Sequence, residues 1–72
     1  MIMKVNRIED LGKVIQMARK RQKLTQEQLA AIVGVGVRFV RELEKGKESC
    51  HIGKTFSVLH MLGLSIELDE HK

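Results

Sequence analysis

The sequence predicts a mostly α fold, four short helices followed by one short β-strand, in a single domain spanning residues 1–72. Three observations carry that expectation. Apolar residues recur at three- and four-residue spacing through most of the chain, the period of a helix with one buried face. Gly34, Gly46 and Gly63 stand at the ends of three such stretches, where helices commonly stop on a left-handed residue. After Gly63 the period becomes two: Leu64-Ser65-Ile66-Glu67-Leu68 alternates apolar and polar residues, as a half-buried strand does.

Each element follows from local signals. Residues 1–5 (MIMKV) read as a short strand or a disordered start. Asn6 and Glu9 have the spacing of an N-cap and its reach-back partner, which starts a first helix near Arg7. Leu11, Val14, Ile15 and Ala18 supply its buried stripe, and Gly12 within it suggests a second backbone packed close by. The run Arg19-Lys20-Arg21-Gln22-Lys23 places cations at the negative end of that helix, and Leu24 tucks the connector into the core.

Thr25 and Gln28 form a capping box that opens the second helix, in which Leu29, Ala30 and Val33 repeat at helical spacing. Gly34 redirects the chain and Gly36 is a tolerable N-cap for the third helix. There Val40 and Leu43 point one way, while Val37, Arg38, Arg41 and Glu42 point the other. Two helices joined this tightly must cross steeply. That geometry presents a second helix to the DNA major groove. Lys45-Gly46-Lys47 stops the third helix. A fourth runs from about residue 53 to residue 62, with Ile52, Phe56, Leu59 and Leu62 beside Val58 as its apolar face. Gly63 closes it, Leu64 packs back across its end, and the helical core spans residues 7–62.

The strand at residues 64–68 cannot stand alone, because its backbone groups need partners. Residues 1–5, the same strand of a second copy, or both would supply them; a two-fold dimer sheet is the preferred arrangement. Leu64, Ile66 and Leu68 share the face that would carry dimerisation.

Composition narrows the function. A chain of 72 residues buries little surface and usually needs a disulfide, a metal or a partner subunit. One cysteine excludes an internal disulfide, and Cys50 reads as a small residue of a loop or core edge. Cys50 and His51 are adjacent and His60 lies nine positions on, so no metal-ligand spacing appears and no cofactor is expected. Oligomerisation, as a homodimer, remains. The net charge is +4, and between Lys13 and Lys47 nine basic residues face only Glu27, Glu42 and Glu44. Such a patch suits a phosphate backbone, although charge alone also fits an ordinary solvated surface. The crossed-helix pattern beneath it favours DNA.

Other classes find little support. His51, His60 and His71 are isolated, no nucleophile–base set or phosphate loop is visible, and an enzyme is not expected. The four methionines are start residues and gap fillers. Two phenylalanines, with no Trp or Tyr, make a poor stacking platform for RNA. No apolar run reaches membrane-spanning length, the amino terminus lacks a secretory pattern, and a free cysteine fits the reducing cytoplasm.

The stretch from Leu11 to Leu64 resembles the Cro/C1-type (XRE) helix-turn-helix family of bacterial and phage repressors. Arg19, Thr25-Gln26, Leu29-Ala30, Gly34, Val40 and Leu43-Glu44-Lys45-Gly46 carry the likeness. It implies a small lambda-repressor-like domain. Gln26 would cap its helix against a DNA phosphate, and Val37, Arg38, Arg41 and Glu42 would face base edges or flanking phosphates; by its charge at the end of the same helix, Lys45 is also expected on a phosphate. Arg19 and Glu44 match a pair that forms a partly buried salt bridge. Gly36 and Phe39 depart from the family, which usually has Ser or Thr and a small polar residue there; Phe39 is expected to pack against the fourth helix. The tail (TFSVLHMLGLSIEL) looks like the HipB-like antitoxin subgroup, whose members dimerise through a small intersubunit sheet, repress their own operon and bind a HipA-like kinase toxin. The expected function is therefore a sequence-specific repressor on a palindromic operator, within a toxin–antitoxin operon. A stand-alone Cro/C1-type repressor, or a protein-interaction module with little DNA affinity, are the alternatives.

Overall fold

The computed structural model describes residues 3–70. Four helices follow in order: α1 (Ile8–Arg21), α2 (Gln26–Val33), α3 (Val37–Glu44) and α4 (Ile52–Met61). Helix α2 packs against both α3 and α4, and α1 packs against α3. Between them lies one core of Ile15, Ala18, Leu29, Ala30, Val40, Leu43, Val58, Leu59 and Leu62. Each fully buried aliphatic side chain in it contributes about 1.5–3 kcal/mol of apolar transfer.

The starts of the helices show how local chemistry sets their bounds. Thr25 Oγ1 accepts from the Gln28 N–H at 3.0 Å, and Gln28 Oε1 accepts from the Thr25 N–H at 2.8 Å, the expected capping box. At α1 the expected start moves by one residue. Asp10, rather than Glu9, reaches back, and its Oδ2 accepts from the N–H groups of Asn6 at 3.1 Å and Arg7 at 3.2 Å. Glu9 instead pairs with Arg7. At α4 the Nδ1 of His51 accepts from the Lys54 N–H at 3.2 Å.

The four ends are alike. Lys23, Gly34, Gly46 and Gly63 each adopt positive φ, and the following N–H bonds back to the carbonyl five residues earlier. At α4 this gives Leu64 N–H to Leu59 C=O at 2.8 Å. Leu64 is thereby half-buried against the core, packed over the helix end as expected.

The expected face of α4 is corrected. Thr55, Val58, Leu59 and Leu62 are its buried residues, at spacings of three and four, while Ile52 and Phe56 lie exposed to one side of that stripe. Thr55 enters the core because its hydroxyl donates to the His51 carbonyl at 2.9 Å, which removes the cost of burying it. In α1, Ile15 and Ala18 are buried as expected, whereas Val14 is only half-buried and Gly12 and Arg19 share the buried face. The expected strand does not form: residues 64–70 have no ladder partner among the described residues. A strand without a neighbouring strand is not stable alone, and the described residues supply none. Met3 to Val5 likewise form no strand, and the rest of that expected amino-terminal segment lies outside the described residues.

Gly12 explains how α1 meets α3. A Cβ built on it would stand 2.6 Å from the carbonyl oxygens of both Leu43 and Glu44. Only a residue without a side chain lets the two backbones approach this closely.

Candidate nucleic-acid interface

Helix α3 is amphipathic in a way that separates support from display. Val40, Leu43 and Glu44 are buried, while Arg38, Arg41 and Lys45 are exposed. Gly34, in the left-handed region at φ 85, ends α2 and allows the chain to reverse within three residues. Gly36 then caps α3 through its backbone alone.

The support beneath the display is a buried ion pair. Arg19 Nε donates to Glu44 Oε2 at 2.6 Å and Arg19 Nη2 donates to Glu44 Oε1 at 3.0 Å, a bidentate contact between α1 and α3. Arg19 Nη1 also donates to the Leu24 carbonyl at 2.8 Å, fixing the α1–α2 connector. The two side chains are only 9 % and 2 % exposed. The bond to Glu44 raises the Arg19 pKa above its ordinary value, against the opposing effect of burial.

Gln26 joins this cluster. Its Nε2 donates to Glu44 Oε1 at 3.1 Å, so the first residue of α2 is oriented by an acid on α3. The capping box satisfies the N–H of Gln28 and leaves those of Gln26 and Glu27 uncommitted among the described residues. An anion at this helix start would meet free N–H donors and the positive end of the helix dipole.

The remaining surface residues divide in two. Arg41 and Lys45 form no ion pair among the described residues. Glu42 forms two: its Oε2 lies 3.4 Å from Arg38 Nε and 3.1 Å from Lys47 Nζ. The hydrogen bond from Lys47, with the Arg38 charge adding to it, holds the Glu42 carboxyl below the usual carboxylate range. Val37 does not stand free with them, because it is half-buried and rests against the core.

Several partners lay beyond sequence reasoning. Lys47 reaches Glu42 only because the chain reverses at Gly46. Lys54 stands 5.9 Å from the centre of the Phe39 ring, a cation–π contact from α4, and Phe39 packs on the core edge as expected. Cys50 is half-buried beside the core, its thiol pushed up by burial, and His60 is exposed. Among the described residues no cluster of His, Cys, Asp or Glu is arranged to hold a metal, and no helix is long and apolar enough to cross a membrane.

Of the residues expected to carry dimerisation, Leu64 is committed to the end of α4, whereas Ile66 is 45 % and Leu68 90 % exposed. A second apolar area lies nearby in the chain: Val33, Phe56 and Met61 line a shallow depression with Ser57 and His60.

Comparison with known proteins agrees with this geometry. A family model described as Helix-turn-helix matches residues 15–68. An HTH-type transcriptional regulator of Sinorhizobium fredii is 46% identical over 59 residues, covering 82% of this chain and 78% of that protein. A chain of the solved HipA-HipB-O2-O3 complex superposes with a TM-score of 0.87 at 22% identity, over 99% of this chain and 100% of the other. A chain of the HipB-O4 20mer complex matches with the same score, identity and coverage. The chain belongs to the helix-turn-helix family, of the Cro/C1 (XRE) type, and its fold is that of these HipB complexes.

Proposed function

We propose that this helix-turn-helix protein is a transcriptional repressor that reads a palindromic operator as a homodimer. The observation that carries the reading is α3 itself, anchored from beneath by Val40, Leu43 and the Arg19–Glu44 pair while Arg38, Arg41 and Lys45 face solvent. Arg38 reaches a guanine through its guanidinium fork, and Val37 supplies a methyl surface for thymine. Arg41, Lys45 and the helix start at Gln26 grip phosphates, which fix register without reading sequence. Glu42 lies on the same face. The basic surface adds attraction that weakens with salt.

The dimer would form through residues 64–68, whose Ile66 and Leu68 are left exposed by the described residues. Recognition helices held about 34–36 Å apart would meet successive major grooves. The fold likeness to chains of HipB complexes supports the finer reading: a cytoplasmic antitoxin that represses its own operon and binds a HipA-like kinase toxin. The uncovered apolar depression at Val33, Phe56 and Met61 favours partner binding as part of the role.

Gel shifts against the DNA upstream of its own gene test the first level. Arg38→Ala costs about 1–3 kcal/mol and relaxes preference at one base position, whereas Lys45→Ala weakens all sequences alike and flattens the salt dependence. Equal loss on operator and random DNA for Arg38→Ala would remove the base-reading assignment. Co-purification with the product of a neighbouring kinase-like gene tests the second level.

A further inference from the structure

The face of α3 that would meet DNA carries an acid where phosphate attraction alone calls for none. Glu42 is half-buried, and Lys47, from beyond the turn at Gly46, holds its Oε2 at 3.1 Å. The same oxygen lies 3.4 Å from Nε of Arg38, one helical turn earlier. We infer that Glu42 is a positioning residue for Arg38: with Lys47 as its anchor, it selects the arginine rotamer that presents the terminal nitrogens to a guanine. This rests on the DNA-reading proposal above and names what makes that contact selective.

The argument is one of freedom and geometry. The Arg38 side chain is 84 % exposed and has four rotatable bonds, so nothing in the core restrains it. Ordering such a chain at an interface is costly, and any contact that orders it beforehand reduces that cost at binding. A carboxylate at i+4 on a helix is the nearest group able to do so. Its position matters as much as its charge. Its Oε2 lies at ion-pair distance from Nε, and no Arg38 nitrogen forms a hydrogen bond among the described residues, so Nη1 and Nη2 keep the fork needed for guanine O6 and N7. A carboxylate on a flexible stem would swing with the arginine. Lys47 restrains this by holding the shared oxygen at 3.1 Å, and it partly cancels the repulsion between Glu42 and phosphate.

Selection from a randomised duplex library, run with wild type, Arg38→Ala, Glu42→Ala and the double variant, tests the inference, with thermal melts to show that each variant is folded. Wild type should enrich a guanine at one position of each half-site, and Arg38→Ala should lose it. Glu42→Ala should bind random duplex as well as wild type or better, since a negative charge is gone. Its preference for that guanine should nevertheless fall about two- to ten-fold, the cost of restraining one flexible side chain. In the Arg38→Ala background the second substitution should change nothing further at that position, the mark of an effect carried through the arginine. An unchanged guanine preference in Glu42→Ala overturns the inference. So does a loss at a different base pair that persists without Arg38, because Glu42 would then read a base itself. If wild type enriches no base that depends on Arg38, the DNA-reading assignment falls first, and this outcome is distinct from the other two.

Discussion

Replacing Glu44 with alanine removes the only carboxylate that meets the Arg19 guanidinium, which keeps just the Leu24 carbonyl among the described residues. A buried charge stripped of its partner costs about 3–5 kcal/mol, whereas an exposed pair contributes about 0–1. Side-chain exposures of 9 % and 2 % place this pair in the buried class. The molecule is only 17 Å across its shortest axis, so its field lines reach water within a few ångströms. The lower end, about 3 kcal/mol, is therefore expected. A chain of 72 residues has a total stability of about 4–11 kcal/mol at the usual 0.05–0.15 per residue. The loss should appear in urea unfolding followed by circular dichroism, and in a thermal melt as a fall in Tm of at least about 12 °C. The double variant Arg19→Met/Glu44→Leu removes both charges and should recover most of that stability, because an apolar pair carries no desolvation cost. A Glu44→Ala variant within about 1 kcal/mol of wild type, the range of an exposed pair, would refute the reasoning. A double variant as unstable as the single one would do the same.

Gly12→Ala should destabilise by about 1–3 kcal/mol through overpacking, although helix propensity alone forecasts a gain of about 0.5–1. A raised Tm would show that α1 can shift away from the Leu43 and Glu44 carbonyls. Lys47→Ala should move the Glu42 carboxyl titration upward in an NMR pH series, since the Lys47 hydrogen bond is the largest cause of its depression. The sign follows: a depressed carboxylate favours the fold above its unfolded range, and that contribution fades as pH falls through the folded value, so the variant should lose this part of the acid dependence. Removal of residues 65–72 should abolish dimers and tight operator binding together while the helices stay folded, because Leu64 and its cap on α4 are retained. A truncated chain that still sediments as a dimer at micromolar concentration would move the interface to α4 around Phe56.

Signals confined to one helical turn were legible in the sequence. The capping box at Thr25, the reversal at Gly34 and the close approach at Gly12 each announce themselves within a few residues. Where competing side chains lie one position apart, the pattern chose wrongly. Asp10 and Glu9 are both able to reach back, and only the backbone path decides between them. Phe56 is the larger apolar residue, yet Thr55 is buried, because its hydroxyl bonds its own helix and its position falls on the stripe with Val58, Leu59 and Leu62. Lys23 adopts φ 60 with no glycine to mark the turn; nothing in residue type reveals that.

The face of α3 was legible by residue type, but its internal economy was not. Glu42 and Glu44 stand two positions apart and so lie on opposite sides of the helix. Each acid would weaken attraction to phosphate if left bare. Glu44 is turned inward, where Arg19 neutralises it and Gln26 shares its oxygen. Glu42 is turned outward, where Lys47 and Arg38 flank one oxygen. The three partners from outside the helix arrive through chain reversals, at Lys23 and Gly34 for Arg19, at Gly34 for Gln26 and at Gly46 for Lys47, and such contacts leave no periodic trace in a sequence. With both acids matched, the uncompensated positive charge of α3 and its cap rests on Arg41 and Lys45, the two side chains assigned to phosphate rather than to bases. On the proposed reading, attraction and base recognition would fall to different residues of one short helix, so substitutions at Lys45 and Arg38 should separate salt dependence from base preference.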